Sequence, residues 1–248
     1  MGTFLKCCTS FILLNVTVPS ICFPQQSPDS VLQDSYVKTT ITPSPSAIAR
    51  PGASMPTDTT TVIFRDTSFM QIDTKLKAAA LRLKVKVAEA EDFVKKNDFN
   101  TEYCFMVDMS IPSGKKRFFV YNLQKDTVEL SSLVSHGSGS YTPTCQDRLT
   151  FSNAPNSNAT SLGRYKIGVS YYGTYGLSYK LYGLDPSNSN AFDRAIVLHS
   201  DSYVPEKETY PRHIYESAGC PIVPPSILGI LGKYITKSSK PVLLWIYN

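Results

Sequence analysis

The chain has 248 residues, 42% apolar and 18% charged, with a formal net charge of +5. The length allows one domain plus appendages. The composition is too apolar for a disordered chain, and it excludes collagen-like, coiled-coil and multi-span membrane proteins. The charge is too modest, and Lys and Arg too dispersed, to point to nucleic acid.

The first element is an apolar leader. Lys6 gives a short basic start, and the stretch from Cys7 to Val18 carries no charge. It is shorter than the ~18 residues that span a bilayer. Ser20 and Cys22 place small residues where a signal peptidase cuts. Residues 1–22 therefore read as a signal peptide. Lipidation of Cys22 is the weaker alternative, because Ile21 is bulky where a small residue should precede a lipidated cysteine.

Residues 23–62 are rich in Pro, Ser and Thr and show no periodicity, which predicts a solvated tether. A helical segment follows over 63–98. Phe69, Ile72, Leu76, Ala79, Leu83, Val87, Ala90 and Val94 recur at spacings of three or four. Ser68 and Gln71 fit a capping box, and Lys95 and Lys96 suit the negative end of the helix dipole. This helix is expected to pack on the main domain.

From Glu102 the period changes to two. Tyr103, Phe105, Val107 and Met109 form one face of a strand. Arg117 to Leu123 and Thr127 to Ser135 make two more, joined by Gln124-Lys125-Asp126, so an antiparallel meander is predicted. Between Phe151 and Asp185 the chain is rich in Gly, Tyr, Ser and Asn, which suits short strands and loops. Tyr171, Tyr172 and Tyr175 are read there as aromatic core by default, with the lining of a cleft as the alternative. Arg194 to His199 is an apolar strand, Ser226 to Thr236 a short helix and Pro241 to Tyr247 a final strand. The sum is a mainly β domain with a leading long helix and a short C-terminal helix.

The chemistry narrows quickly. There are three histidines and six cysteines. No C-x-x-C or H-E-x-x-H spacing suggests a metal, no Gly-rich phosphate loop is present, and no G-x-S-x-G elbow exists. His199, at a strand end, is followed by Ser217-Ala218-Gly219-Cys220-Pro221. A nucleophilic cysteine needs a base within reach and donors for an oxyanion. Gly219 removes bulk beside the thiol. The bland alternative is a buried structural cysteine and a capping histidine. His precedes Cys here, unlike papain-type enzymes, and the caspase Q-A-C signature is missing.

His199 followed by Ser217-x-Gly219-Cys220 resembles the signature of L,D-transpeptidase (YkuD-type) catalytic domains. Phe105-Met106-Val107-Asp108-Met109-Ser110, Arg117-Phe118-Phe119-Val120, Val134-Ser135-His136-Gly137, Phe151-Ser152-Asn153, Thr160-Ser161-Leu162-Gly163 and Gly219-Cys220-Pro221 resemble the murein L,D-transpeptidase branch. The resemblance covers residues 99–248. Ala218 stands where many members have histidine, Glu216 where this branch commonly has arginine, and Pro221-Ile222-Val223 where an arginine often follows the cysteine.

The resemblance implies a β-sandwich-like catalytic domain over 99–248 that cross-links peptidoglycan stem peptides in the periplasm, without a cofactor. Cys220 would be the nucleophile. His199 would hold it as a thiolate or take its proton. The Ser200 carbonyl would orient His199, with Asp201 a second candidate. The N–H groups of Gly219 and Cys220 would hold the oxyanion, with Ser217 in support. His136 would line the site or serve as a structural strand-end residue. Carbapenem-type β-lactams would be inhibitors. An L,D-carboxypeptidase and a catalytically idle wall-binding module are the alternatives. Cys104 and Cys145 are candidates for a disulfide. His213 reads as a loop residue, and the Asn158-Ala159-Thr160 sequon as a chance match.

Overall fold

The structure is a computed structural model that describes residues 67–141 and 148–248. The leader, the tether and Cys145 lie outside the described residues.

The expected mainly β domain with a leading and a trailing helix is what forms. In chain order the elements are α1 (Thr67–Lys96), β1 (Tyr103–Asp108), β2 (Phe118–Asn122), β3 (Thr127–Ser132), β4 (Gly163–Gly173), β5 (Gly176–Gly183), β6 (Val197–Ser200), β7 (Ile222–Val223), α2 (Pro225–Lys237) and β8 (Leu243–Tyr247). The strands make one eight-stranded sheet in the order β3-β2-β1-β8-β4-β5-β6-β7. β1 pairs parallel with β8, and β6 parallel with β7; the other pairs are antiparallel.

Each face of this sheet buries a different side-chain set. Tyr103, Phe105 and Val107 join Leu244, Ile246, Tyr179, Leu198 and the α2 residues Leu228 and Leu231 in the main core. Cys104, Met106, Tyr121, Leu243 and Tyr247 face the other way and pack on Val87, Ala90 and Val94 of α1. Burial on both faces is why β1 is apolar from Tyr103 to Val107 instead of alternating with polar residues. Among the described residues no helix is long and apolar enough to cross a membrane.

The Gly- and Tyr-rich stretch differs from expectation. It forms one long hairpin, β4 and β5, closed by Thr174 and Tyr175. The inner half of β4 alternates buried and half-buried residues, whereas its outer half is exposed throughout. That outer half has no core to face, so no period-two pattern marks it. Tyr171, Tyr172 and Tyr175, expected in the core, are exposed on this hairpin.

The ends of the sheet meet. After β3 the chain continues through Ser135 and Gly137 and lies against the far side of β7. Ser135 N–H donates to the Ile222 carbonyl at 2.9 Å, and Gly137 forms a parallel bridge with Ser217. The Ser-x-Gly-Cys motif sits at this closure.

Candidate active site

β6 carries His199 and β7 follows Cys220. The two strands run in parallel with His199 opposite Ile222. A two-residue offset between adjacent strands separates the Cα atoms of His199 and Cys220 by about 8 Å, from the ~3.3 Å rise and ~4.8 Å spacing of strands. Side chains as long as imidazole can bridge that span. The strand is shorter than predicted because Ala195 adopts φ 53°, a left-handed conformation that breaks extension before β6.

His199 is buried, and its Nδ1 lies 3.2 Å from the Ser200 carbonyl oxygen. A carbonyl only accepts, so Nδ1 carries the ring proton and Nε2 presents its lone pair. Burial lowers the imidazole pKa below its usual value, against the opposing pull of the Ser200 carbonyl and the Asp201 charge. Tyr175, from the hairpin tip, stacks on the ring at 4.6 Å between centroids.

The Cys220 thiol is half-buried against the segment entering β6. Sγ accepts from Val197 N–H at 3.4 Å and lies 3.8 Å from the Ala195 carbonyl. Neither hydrogen bond goes to the imidazole. Burial pushes the thiol pKa up, while Val197 N–H and the Arg194 charge pull it down. Burial thus favours the neutral form of the thiol and of the imidazole alike. This arrangement suits proton transfer on attack better than a standing thiolate.

The motif has a steric logic. Gly219 adopts φ +116°, and a Cβ there would come within 3.0 Å of the Ala159 carbonyl and 3.1 Å of an Arg194 nitrogen. Gly219 N–H donates to Ser217 Oγ at 3.0 Å. Of the two N–H groups expected to hold an oxyanion, that donor is engaged, whereas no hydrogen bond among the described residues engages Cys220 N–H. Ser217 is itself pinned: its N–H donates to the His136 carbonyl at 2.8 Å, and its carbonyl accepts from Ser138 N–H at 2.7 Å.

Two further residues shape this region without a signal in the motif. Ser135 Oγ donates to the Cys220 carbonyl at 3.3 Å and accepts from Ile222 N–H at 3.0 Å, bracketing the cysteine. Arg194 donates to the Ala159 carbonyl at 2.6 Å and the Ser152 carbonyl at 2.9 Å. It thereby draws the segment around residues 152–161 up to Gly219. Their partners are distant in sequence, so local pattern cannot find them.

His136 lies behind the motif. It is 2% exposed and accepts at Nδ1 from the buried Arg117 at 2.9 Å. Its Nε2 has no hydrogen-bond partner among the described residues, and the nearest carboxylate, Glu216, is 3.7 Å away. Burial first, then the charges of Arg117 and His213, lower its pKa to about 3. Arg117, His136 and His213 line a cavity of about 20 Å³ that includes neither His199 nor Cys220. His213 is an exposed loop residue, as expected. Thr160 of the sequon is buried and accepts the Gly137 N–H. Cys104 is a free thiol in the core beneath α1, with its pKa pushed up to about 12 by burial. Among the described residues no group of three or more His, Cys, Asp or Glu side chains could hold a metal ion.

The family profile of the L,D-transpeptidase catalytic domain matches residues 73–247. The match takes in most of α1, whereas the resemblance read from the sequence covers 99–248. No curated protein matches the chain. Among solved structures, the L,D-transpeptidase of Xylanimonas cellulosilytica is 14% identical, with a TM-score of 0.33, covering 58% of this chain and 60% of that one. An Enterococcus faecium L,D-transpeptidase is 14% identical, with a TM-score of 0.35, covering 59% and 50%. An L,D-transpeptidase in complex with imipenem is 12% identical, with a TM-score of 0.34, covering 59% and 59%. The chain thus spans between half and three fifths of these neighbours' lengths. With the profile matching well over half of its residues, the chain belongs to the L,D-transpeptidase catalytic domain family.

Proposed function

We propose that the protein is a peptidoglycan L,D-transpeptidase that forms 3-3 cross-links through a Cys220 thioester, with His199 as the base. One observation carries the assignment of roles: the Ser200 carbonyl holds the proton on His199 Nδ1, leaving Nε2 free to accept one, one strand away from the thiol.

The reaction follows from that geometry. Cys220 swings from the Ala195 carbonyl toward the imidazole. Sγ then attacks the carbonyl carbon between the L-centre of diaminopimelate and the D-Ala of a donor tetrapeptide. His199 Nε2 takes the thiol proton as the S–C bond forms. Cys220 N–H donates to the oxyanion. Collapse breaks the C–N bond, and His199 returns the proton to the departing amine of D-Ala. An acceptor amine attacks the thioester, gives its proton to His199, and leaves as the new amide. The thiol regains that proton. No metal or cofactor enters any step. The protein acts in the periplasm after removal of residues 1–22.

Incubation of the protein with a tetrapeptide donor and an acceptor stem, followed by mass analysis, tests the proposal. The expected product is a 3-3 linked dimer, with none from Cys220→Ala. A carbapenem should add its mass to the wild-type protein and leave Cys220→Ala unmodified. Tripeptide as the sole product at high acceptor concentration would assign an L,D-carboxypeptidase instead. No product and no adduct would leave a catalytically idle wall-binding module.

A further inference from the structure

A groove of about 210 Å³ opens on the Ala195–Val197 segment, whose backbone contacts the thiol. Ala195, Ile196 and Val197 line it together with Leu181, Tyr171, Phe192 and Lys180. Ala195 and Val197 are also the residues that hydrogen-bond Cys220 Sγ. A substrate carbonyl placed on the sulfur therefore has the groove as its neighbour. The volume is below the roughly 300–1,000 Å³ of drug-sized pockets, which suits one or two residues of a peptide.

Lys180 gives the groove its polarity. It pairs with Val197 across β5 and β6, just as Ser178 pairs with His199. Residues two apart on a strand share a face, so Lys180 stands on the His199 side of the sheet. Its ammonium lies 5.7 Å from the Tyr171 ring centroid and 5.5 Å from that of Phe192. Phe192 is in turn stacked on Tyr182 at 5.3 Å. Ring faces attract the charge but do not fill the three N–H donors of an ammonium. No carboxylate among the described residues pairs with Lys180. A half-buried, unpaired cation between two aromatic walls beside a nucleophile is built to receive an anion.

We propose that Lys180 recognises the free carboxylate of the acyl donor's leaving residue, held in the groove between Tyr171 and Phe192. The proposal rests on the acyl-transfer assignment above and names what that site selects. A stem tetrapeptide ends in a carboxylate one residue beyond the bond to be broken, so sulfur and ammonium address neighbouring groups of one ligand. Lys180 on β5 and Cys220 at the entry to β7 flank β6, one on each side of Val197. The contact orients the scissile carbonyl and restricts donors to peptides with one, and only one, residue after that bond.

The test uses the tetrapeptide donor as the free acid and as its C-terminal amide. The wild-type protein should prefer the acid by roughly tenfold or more, the range of a charge-assisted hydrogen bond. The loss should fall mainly on KM. Lys180→Gln should treat acid and amide alike, and Lys180→Arg should restore the preference. Binding of the same two peptides to Cys220→Ala, measured by calorimetry with and without Lys180→Gln, separates the site from the reaction. Turnover without acid preference, or a preference that survives Lys180→Gln, overturns the role of Lys180 and spares the transpeptidase assignment. Absent turnover with Lys180-dependent binding of the acid overturns the reaction and keeps the site. Absence of both overturns the two together.

Discussion

Tyr175 lies against the His199 imidazole with the two ring planes 24° apart, although Tyr175 itself is 59% exposed. An exposed residue at a hairpin tip therefore provides part of the burial that lowers the pKa of the His199 imidazole, the proposed base. Tyr175→Ala should uncover the ring and raise its pKa toward the ordinary value. The acid limb of the kcat profile should move to higher pH, because the base stays protonated longer as pH rises. The share of hydrolysed donor should also grow as water gains access. A profile unchanged in both respects would mean the stack is incidental.

Burial holds the Cys220 thiol above its ordinary pKa, with Arg194 opposing. Alkylation by iodoacetamide should keep accelerating with pH past the ~8.5 of a free thiol. Arg194→Gln should shift that curve further upward. Cys104, with a pKa of about 12 and no exposure, should stay unmodified in the folded protein. A rate that levels off near neutrality would indicate a standing thiolate.

Ser135→Ala removes the acceptor for Ile222 N–H and the donor to the Cys220 carbonyl. Ile222 is 4% exposed, so its N–H is left without a partner. A loss of about 1–3 kcal/mol is expected in chemical unfolding. Turnover should fall further than the loss of one buried hydroxyl suggests, because the backbone that aims Sγ is loosened.

His136 is held neutral in the fold, with its pKa lowered to about 3, while an unfolded histidine titrates near 6.5. Between those values the unfolded chain binds the extra proton, so stability declines as pH falls. The slope from this one group reaches ~1.4 kcal/mol per pH unit. The window from pH 6.5 down to 4.5 isolates it from most carboxylates. His136→Asn should flatten the curve of unfolding free energy there. Equal slopes in the two proteins would show that another group governs acid sensitivity.

The legible parts of this chain are those whose cause is local. The 3–4 spacing of Val87, Ala90 and Val94 is a property of one helix, and it marked the face that packs on β1 and β8. The period-two set Tyr103, Phe105 and Val107 likewise marked the main core. His199 and the Ser-x-Gly-Cys motif could be singled out as residues, and the parallel pairing of β6 and β7 sets the motif, at the entry to β7, beside the strand that carries His199. The hairpin was not legible because Val169, Tyr172 and Tyr175 face solvent and carry no alternation. Ser135 and Arg194 were missed for a different reason. Their bonds reach 85 and 35 residues along the chain, and a serine or an arginine looks the same with or without such a partner.

The closure at β7 decides how a peptide can dock. A two-residue strand with one side open would offer bare N–H and C=O groups to any extended chain passing by. On the side away from β6, the Ile222 N–H is taken by Ser135 Oγ and the Ile222 carbonyl by Ser135 N–H. The open edge of β7 is thus closed to strand addition, one of the ways a sheet captures an extended peptide. Under the proposed function, a stem peptide would not reach the thiol by lengthening the sheet at β7. It would come in from above the strands and be held by side chains, so changes in those side chains would alter which peptides are accepted while the ladder beneath them stays the same.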